Sequence, residues 1–218
     1  MAETVPHKLR SDAQDNRDRI LAAARSLYAE HGLEVTMRQV ARRAGVGPAT
    51  LYRRFPARQV LLEAVFADEL RACRSIVAEG SADPDPWRGL TSVVERISVL
   101  NVGNQGFVDA FMGEYPRADA FTEHRTEMLA MLGGLARRAQ ASGQLRADFV
   151  LDDLVLVLLA GRGLAATPSA RTVVAARRFA ALAVEAFRAS GANEPLPRPA
   201  SLAGHLARTG EDLRVGGR

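Results

Sequence analysis

The sequence predicts an all-α chain, and three observations lead there. Strand-like alternation of apolar and polar residues is nearly absent. Long stretches carry apolar residues at three- and four-residue spacing, the period of a helix with one buried face. Gly, Pro and Asp fall between those stretches, where helices start and stop.

A first helix is predicted from residue 15, with Ile20, Leu21, Ala24, Leu27, Tyr28 and His31 on one face and Gly32 ending it. Residues 1–14 are expected to be a flexible basic arm. Thr36 suits an N-cap for a short second helix over 37–44, because its hydroxyl can accept from a first-turn amide. Gly45 breaks that helix, Val46 points inward, and Pro48 opens a third helix that runs through Phe55. Pro56 ends it. A single fourth helix is expected over 57–79, with Leu62, Val65, Phe66, Leu70, Cys73 and Val77 inward and Gly80 as its limit.

Residues 81–86 hold two Asp-Pro steps and read as a linker between a domain ending near residue 80 and a second one over 81–190. Trp87, Leu90, Val94 and Ile97 mark a fifth helix that fades in the Gly/Asn-rich stretch 101–106. A short apolar, aromatic segment follows over 107–113, closed by Tyr115 and Pro116. Residues 118–142 carry Phe121, Met128, Leu132, Leu135 and Ala139, with Gly143 as cap. The segment 149–164 is apolar almost all round, so it needs cover on a second side. An Ala-rich amphipathic helix is expected over 169–190, and the tail 191–218 shows no periodicity and is expected to be disordered.

Composition narrows the class. With 218 residues, 47% apolar and 25% charged, the chain is long enough to bury a core and falls outside disordered, collagen-like and coiled-coil compositions. The net charge of +4 is uneven: residues 1–60 carry eleven basic and six acidic side chains, +5, against −1 for the rest. A basic footprint at one end suits a polyanion, although a solvated basic face would look the same. Lys8 is the only lysine among 29 basic residues, a bias that reads as codon usage. Cys73 is the only cysteine, which points to a reducing compartment, and residues 1–10 lack the apolar stretch of a signal peptide. The longest apolar run, 154–161, is far short of the ~20 residues that span a bilayer. The expectation is a cytoplasmic protein with no membrane partner.

Residues 36–58, TMRQVARRAGVGPATLYRRFPAR, carry the functional signal. Ala41 is small where two helices must cross closely, Gly45 sits at the bend, and Val40, Ala44, Val46, Leu51 and Phe55 supply the contacts that lock the pair. That is the physics of a helix-turn-helix. The third helix then presents Gly47, Pro48, Ala49, Thr50, Tyr52, Arg53 and Arg54 outward, a set suited to phosphates and major-groove base edges. A structural hairpin with a solvated basic face is the plainer alternative.

The run Ala44-Gly45-Val46-Gly47-Pro48-Ala49-Thr50-Leu51-Tyr52-Arg53-Arg54-Phe55, followed by Arg58 and Leu61-Leu62, resembles the DNA-binding signature of TetR-type transcriptional regulators, over roughly residues 15–75. The resemblance implies backbone contacts from Thr50 and Tyr52, base proximity for Pro48, Ala49 and Arg53, and phosphate contacts from Thr36 and Arg38. It places Arg58 beside a phosphate together with the fourth helix's N-terminal amides. Two departures stand out: Arg54 replaces the usual histidine, which leaves its role open, and Arg58 replaces the usual lysine, which keeps the charge. The resemblance further implies a homodimer through helices 149–165 and 169–190, reading a palindromic operator in double-stranded DNA. Two reading helices about 34 Å apart can each enter a major groove on one face of such a site.

Between reader and dimer helices, Trp87, Phe107, Phe111, Met112, Tyr115, Phe121, Met128, Met131 and Leu132 suit a pocket for a small, apolar effector, with plain core packing as the alternative for each. Arg162 interrupts an apolar helix between Gly161 and Gly163 and could hold an anionic effector or pair with a carboxylate such as Asp109, Glu114 or Asp153. No metal or cofactor is expected. His7, His31, His124 and His205 are scattered, and no HExxH, GxSxG, phosphate-loop or paired-cysteine pattern supports an enzyme. The expected function is a ligand-responsive repressor. Its rivals are a helical enzyme without a recognisable motif and an effector-independent architectural DNA binder.

Overall fold

A computed structural model describes residues 5–112, 119–162 and 169–198. The chain divides into two compact units, Met1–Ala67 and Asp68–Arg218.

The first unit holds α1 (Val5–His31), a single 3-10 turn at Gly32–Glu34, α2 (Met37–Ala44), α3 (Pro48–Arg54) and α4 (Arg58–Val65). Its core joins Ile20, Ala24, Leu27 and Tyr28 of α1 to Val40 and Ala41 of α2, Leu51 and Phe55 at α3, and Leu61, Leu62 and Val65 of α4. The helix-turn-helix forms for local reasons. Thr36 and Gln39 make a reciprocal capping box: Thr36 Oγ1 accepts from the Gln39 amide at 3.3 Å, and the Thr36 amide donates to Gln39 Oε1 at 2.8 Å. Gly45 takes φ +65°, a left-handed conformation that favours glycine, and lets the Val46 amide close back on Ala41 O at 3.0 Å. Pro48 then starts α3, where its missing N–H costs nothing.

Two expectations change in this unit. Residues 5–14 are helical, so α1 begins ten residues before the expected start and takes up most of the flexible arm expected over 1–14. Pro6 lies in the first turn, which tolerates it, and no Gly or Pro interrupts the run to His31. The expected fourth helix over 57–79 is two helices, α4 and α5 (Ala67–Ala82). The break at Phe66 comes from tertiary packing. The Phe66 ring turns in to stack on Tyr28 at 6.1 Å, and Arg25 donates to the Val65 carbonyl that the interrupted helix leaves over.

The second unit contains α5, α6 (Pro86–Leu100), α7 (Gln105–Met112), α8 (Asp119–Ala141), α9 (Leu151–Arg162) and α10 (Ala170–Phe187). Helix α6 is central and packs against α8, α9 and α10. Asp85 caps it, accepting from the Trp87 and Arg88 amides at 3.0 and 3.1 Å. The Asp-Pro stretch is therefore the turn of a tight α5–α6 hairpin, and the division between units falls at Ala67/Asp68 instead of residue 80. Two glycines show how close the hairpin is: a Cβ on Gly80 would lie 2.4 Å from Val93 Cγ2, and one on Gly89 would lie 2.2 Å from Gly80 O.

The chain after α10 is also more ordered than its composition suggests. Residues 191–198 are held against the α8–α9 connection: Arg146 donates to Glu194 O at 2.7 Å, and the Leu196 amide donates to Asp148 Oδ2 at 3.0 Å. Residues 199–218 lie outside the described residues. No described helix is long and apolar enough to cross a membrane.

Candidate nucleic-acid interface and apolar cavity

Helix α3 has one buried face and one presented face. Leu51 is fully buried and Phe55 nearly so, which pins the helix, while Gly47, Pro48, Ala49, Arg53 and Arg54 are exposed and Thr50 is half-buried. Tyr52 is 47% exposed, a large aromatic held out of the core. Arg38 is exposed at the start of α2. Thr36 is also exposed, yet its hydroxyl and amide are both committed to the capping box. Arg58 opens α4 with its Nε and Nη2 atoms buried, so this guanidinium is turned largely into the protein, unlike that of Arg53.

Asn16, Arg17 and Ile20 of α1 line a polar groove with Thr50, Arg53 and Arg54 of α3. The groove extends the basic surface onto α1, and it gives Arg54, left open by the sequence, a definite place beside Arg17. Arg17 was missed because it lies before Ile20, the first residue of the apolar period, where a charged residue carries no signal of its own. Not every cation of this end faces outward as free charge. Arg43 of α2 bonds Ser26 and Glu30 of α1, and the Glu30 carboxyl is held below its usual range by its hydrogen bond from Ser26 and then by Arg43.

The second unit encloses an apolar cavity of about 60 Å³. It brings together Phe107, Phe111 and Met112 of α7 with Met128 and Leu132 of α8, five of the predicted pocket residues. Trp87 is not in the lining: it is buried elsewhere, its ring under the Arg188 guanidinium at 5.1 Å. Met131 is half-buried outside the lining, and Phe121 is buried core. Tyr115 lies outside the described residues, as does the side chain of Arg162, the last residue of α9.

Most of the remaining wall comes from helices the sequence assigned to other tasks: Cys73 and Val77 of α5, Ile97 of α6 with its C-cap Asn101, and Leu154, Val155 and Leu158 of α9. Burial pushes the Cys73 thiol up to about 12, which makes it an apolar wall residue and not a nucleophile. Arg125 of α8 also lines the cavity and is only 3% exposed. Its Nη1 donates to Phe111 O at 2.8 Å and its Nη2 to Thr122 Oγ1 at 3.2 Å, and burial draws its pKa below the ordinary arginine value. The signal for it was present. Phe121, Arg125, Met128 and Leu132 are spaced four, three and four apart, so the helical period puts Arg125 in the apolar stripe.

His124, next to it, is half-buried with its ring edge-on to Phe111 at 6.3 Å. Burial, and then nearby Arg74, hold it below the usual histidine range, against smaller opposing effects of Glu127 and a backbone hydrogen bond at Leu70. Among the described residues no cluster of three or more His, Cys, Asp or Glu could hold a metal ion.

Comparison with known proteins finds family matches in both parts of the chain. Residues 20–65 match the family of bacterial regulatory proteins of tetR type, and residues 85–189 match the C-terminal domain of SbtR-like transcriptional regulators. The HTH-type transcriptional repressor KstR of Mycobacterium tuberculosis is 30% identical over 152 residues, covering 66% of this chain and 67% of that protein. An uncharacterized HTH-type transcriptional regulator of Mycobacterium bovis is 28% identical over 153 residues, covering 68% and 79%. Among solved structures, the fold is shared with the TetR-type regulator SCO3833 of Streptomyces coelicolor, with TM-score 0.63, 18% identity and coverage of 76% and 89%. It is also shared with the ketosteroid regulator KstR2 of Mycobacterium tuberculosis, with TM-score 0.59, 18% identity and coverage of 80% and 96%.

Proposed function

The chain belongs to the TetR family of bacterial transcriptional regulators, and from that premise we propose that it is a homodimeric repressor released from a palindromic operator by a small apolar effector. The observation that carries the DNA half is the presented face of α3: Pro48, Ala49, Tyr52 and Arg53 stand outward on a helix anchored by buried Leu51 and Phe55. Such a helix enters a major groove with Arg53 toward base edges, while Thr50, Tyr52 and Arg38 approach phosphates that fix its register. Arg17 and Arg54 add charge along the α1–α3 groove. The half-buried Arg58 contributes less than its charge suggests, and the α4 N-terminus supplies amides in its place.

Dimerisation fits the outer faces of α9 and α10. Leu156 is 47%, Val174 66% and Leu182 57% exposed, large apolar residues that a second copy would cover. The effector half rests on the cavity, whose wall draws on α5 to α9. A ligand that fits better when the wall opens shifts the population away from the operator-binding state by its differential affinity for the two states. The repressor named KstR supports the sign of regulation.

In vitro selection of duplex DNA by the purified full chain tests the proposal. A palindromic motif with half-sites one helical turn apart is the expected outcome, and enrichment of no motif defeats it.

A further inference from the structure

We propose that His124 is a proton-operated latch on the effector cavity: its neutral ring holds α5, α7 and α8 together at the Phe111 wall, and protonation frees that wall to open. The inference rests on the effector-cavity reading and adds a regulator to it.

His124 sits where three helices of the second unit meet. Its ring stands edge-on to Phe111 of α7, a cavity-wall residue, at 6.3 Å, and a hydrogen bond with the Leu70 backbone ties it to α5. The next residue on α8, Arg125, donates to the Phe111 carbonyl at 2.8 Å, so consecutive α8 side chains hold both the ring and the backbone of Phe111. The Nε2 atom of His124 is buried without a hydrogen-bond partner. A neutral imidazole tolerates this, because one of its two nitrogens is a bare acceptor. Protonation places an N–H there with nothing to accept it, and adds a charge that burial disfavours.

The surrounding charges do not supply the missing partner. On α5, Arg71 pairs with Asp68, and Arg74 pairs with Glu127 of α8 at 2.6 Å. Arg74 opposes a charge on the ring, and Glu127 favours it by less. Glu69 of α5, Asp109 of α7, and Glu123 and Arg125 of α8 are the other charged residues within one turn of these contacts on the three helices, and none of them reaches Nε2.

About 60 Å³ does not hold an effector unless wall side chains move. Moving Phe111 lets water reach Nε2, so the opened wall binds a proton more readily than the closed one. The linkage is reciprocal: protons favour opening, and a ligand that opens the wall takes up a proton. Burial and then Arg74 keep the ring's pKa in the closed state below the ordinary 6.5, so the latch is at full strength above that pH and weakens as pH falls through it.

The test reads the full-length protein in three ways, with His124→Gln and His124→Phe beside it. In NMR the His124 ring should titrate below pH 6.5, and the methyl groups of Met112 and Met128 in the wall should shift with the same midpoint. A midpoint at or above 6.5, or wall methyls that do not follow it, overturns the latch. The α7 amides, corrected for intrinsic exchange, should lose at least fivefold protection between pH 7.5 and 5.5, and the loss should vanish in both variants. A loss that persists in them places the titrating group elsewhere and overturns the latch too. Octan-1-ol, a probe with no charge of its own, should bind at least threefold tighter at pH 5.5 than at 7.5 in the unaltered protein and equally at both in the variants. Equal affinity in the unaltered protein overturns the latch and leaves the effector cavity standing, whereas binding at neither pH removes the effector-cavity reading and this proposal with it. Should neither variant fold, the NMR titration of the unaltered protein decides.

Discussion

Arg25 holds its guanidinium carbon 5.8 Å from the centroid of the Phe66 ring while donating a hydrogen bond to the carbonyl of Val65. The contact spans α1 and the end of α4, where the helix stops without glycine or proline and leaves a carbonyl to be satisfied. A hydrogen bond from a charged donor and an exposed cation–π contact together contribute about 1–2 kcal/mol, at the low end because Arg25 is itself largely exposed. Arg25→Ala should lower the stability of the protein by about 1 kcal/mol, and Arg25→Lys by less, in urea titrations followed by circular dichroism. A midpoint unchanged in Arg25→Ala would show that the Phe66 break is held by its stacking on Tyr28 alone.

That break marks what could and could not be read from the residues. The helix-turn-helix was legible because each of its causes is local: the Thr36–Gln39 box, the left-handed Gly45 and Pro48 at the start of α3 all lie within a few residues of the structure they produce. The interruption at Phe66 has its cause about forty residues away, in Tyr28 and Arg25, and leaves no local mark. The cavity divides in the same way. Phe107, Phe111 and Met128 announced themselves by type, but Val77, Ile97 and Leu154 look like any core residue until packing brings their helices together. Arg125 is legible in the helical period, but Arg162, set between two glycines, is the more conspicuous arginine in the sequence.

Gly89 has no room for a side chain, since its Cβ would fall 2.2 Å from the backbone oxygen of Gly80. Backbone cannot yield as the tip of a side chain can, so Gly89→Ala forces α5 and α6 apart. Overpacking of this kind costs about 1–3 kcal/mol. Gly47→Ala is the contrasting case, because its Cβ would meet nothing within 4 Å and its φ of −67° suits any residue. Thermal melts should show a clear drop in Tm for Gly89→Ala and almost none for Gly47→Ala; equal melts would mean that the α5–α6 crossing is looser than described.

Three substitutions separate the roles proposed for the reading surface. Tyr52 is exposed, so Tyr52→Ala should leave helicity and oligomeric state alone while weakening operator binding at least tenfold, the loss expected for about 1.5 kcal/mol of phosphate hydrogen bonding. Arg53→Ala should cost about 1–3 kcal/mol and relax the preference at one operator position. Arg38→Ala should weaken all sequences alike and flatten the salt dependence by roughly one unit of slope per phosphate lost. Fluorescence anisotropy across a salt series, with matched and altered operators, measures all three. A uniform loss for Arg53→Ala would move it from base reader to phosphate contact.

Cys73 offers a direct view of the cavity. Its thiol is buried and raised to about 12, so iodoacetamide at pH 8 should leave it unmodified in the folded protein and label it in urea. Mass spectrometry counts the adduct. Rapid labelling under native conditions would mean that the cavity wall opens without any ligand.

Asp148 ties the end of the chain to the α8–α9 connection, and acid should untie it. The carboxylate accepts from Arg146 at 2.6 and 3.0 Å and from the Leu196 amide at 3.0 Å, which lowers its pKa to about 2 from the ordinary value of 3.8, the Arg146 hydrogen bond first and the Leu196 amide second. A group more acidic folded than unfolded contributes its full stabilisation above the unfolded value, and that contribution is lost as pH falls from about 3.8 to about 2. Asp148→Asn removes it at every pH. The variant should therefore be less stable than the unaltered protein at pH 6, and the gap between the two should close as the pH is lowered through that window. Hydrogen exchange at residues 189–196 should report the same release, with the Leu196 amide losing protection in Asp148→Asn at neutral pH. A gap that stays constant down to pH 2 would mean that Asp148 acts through packing and not through its charge.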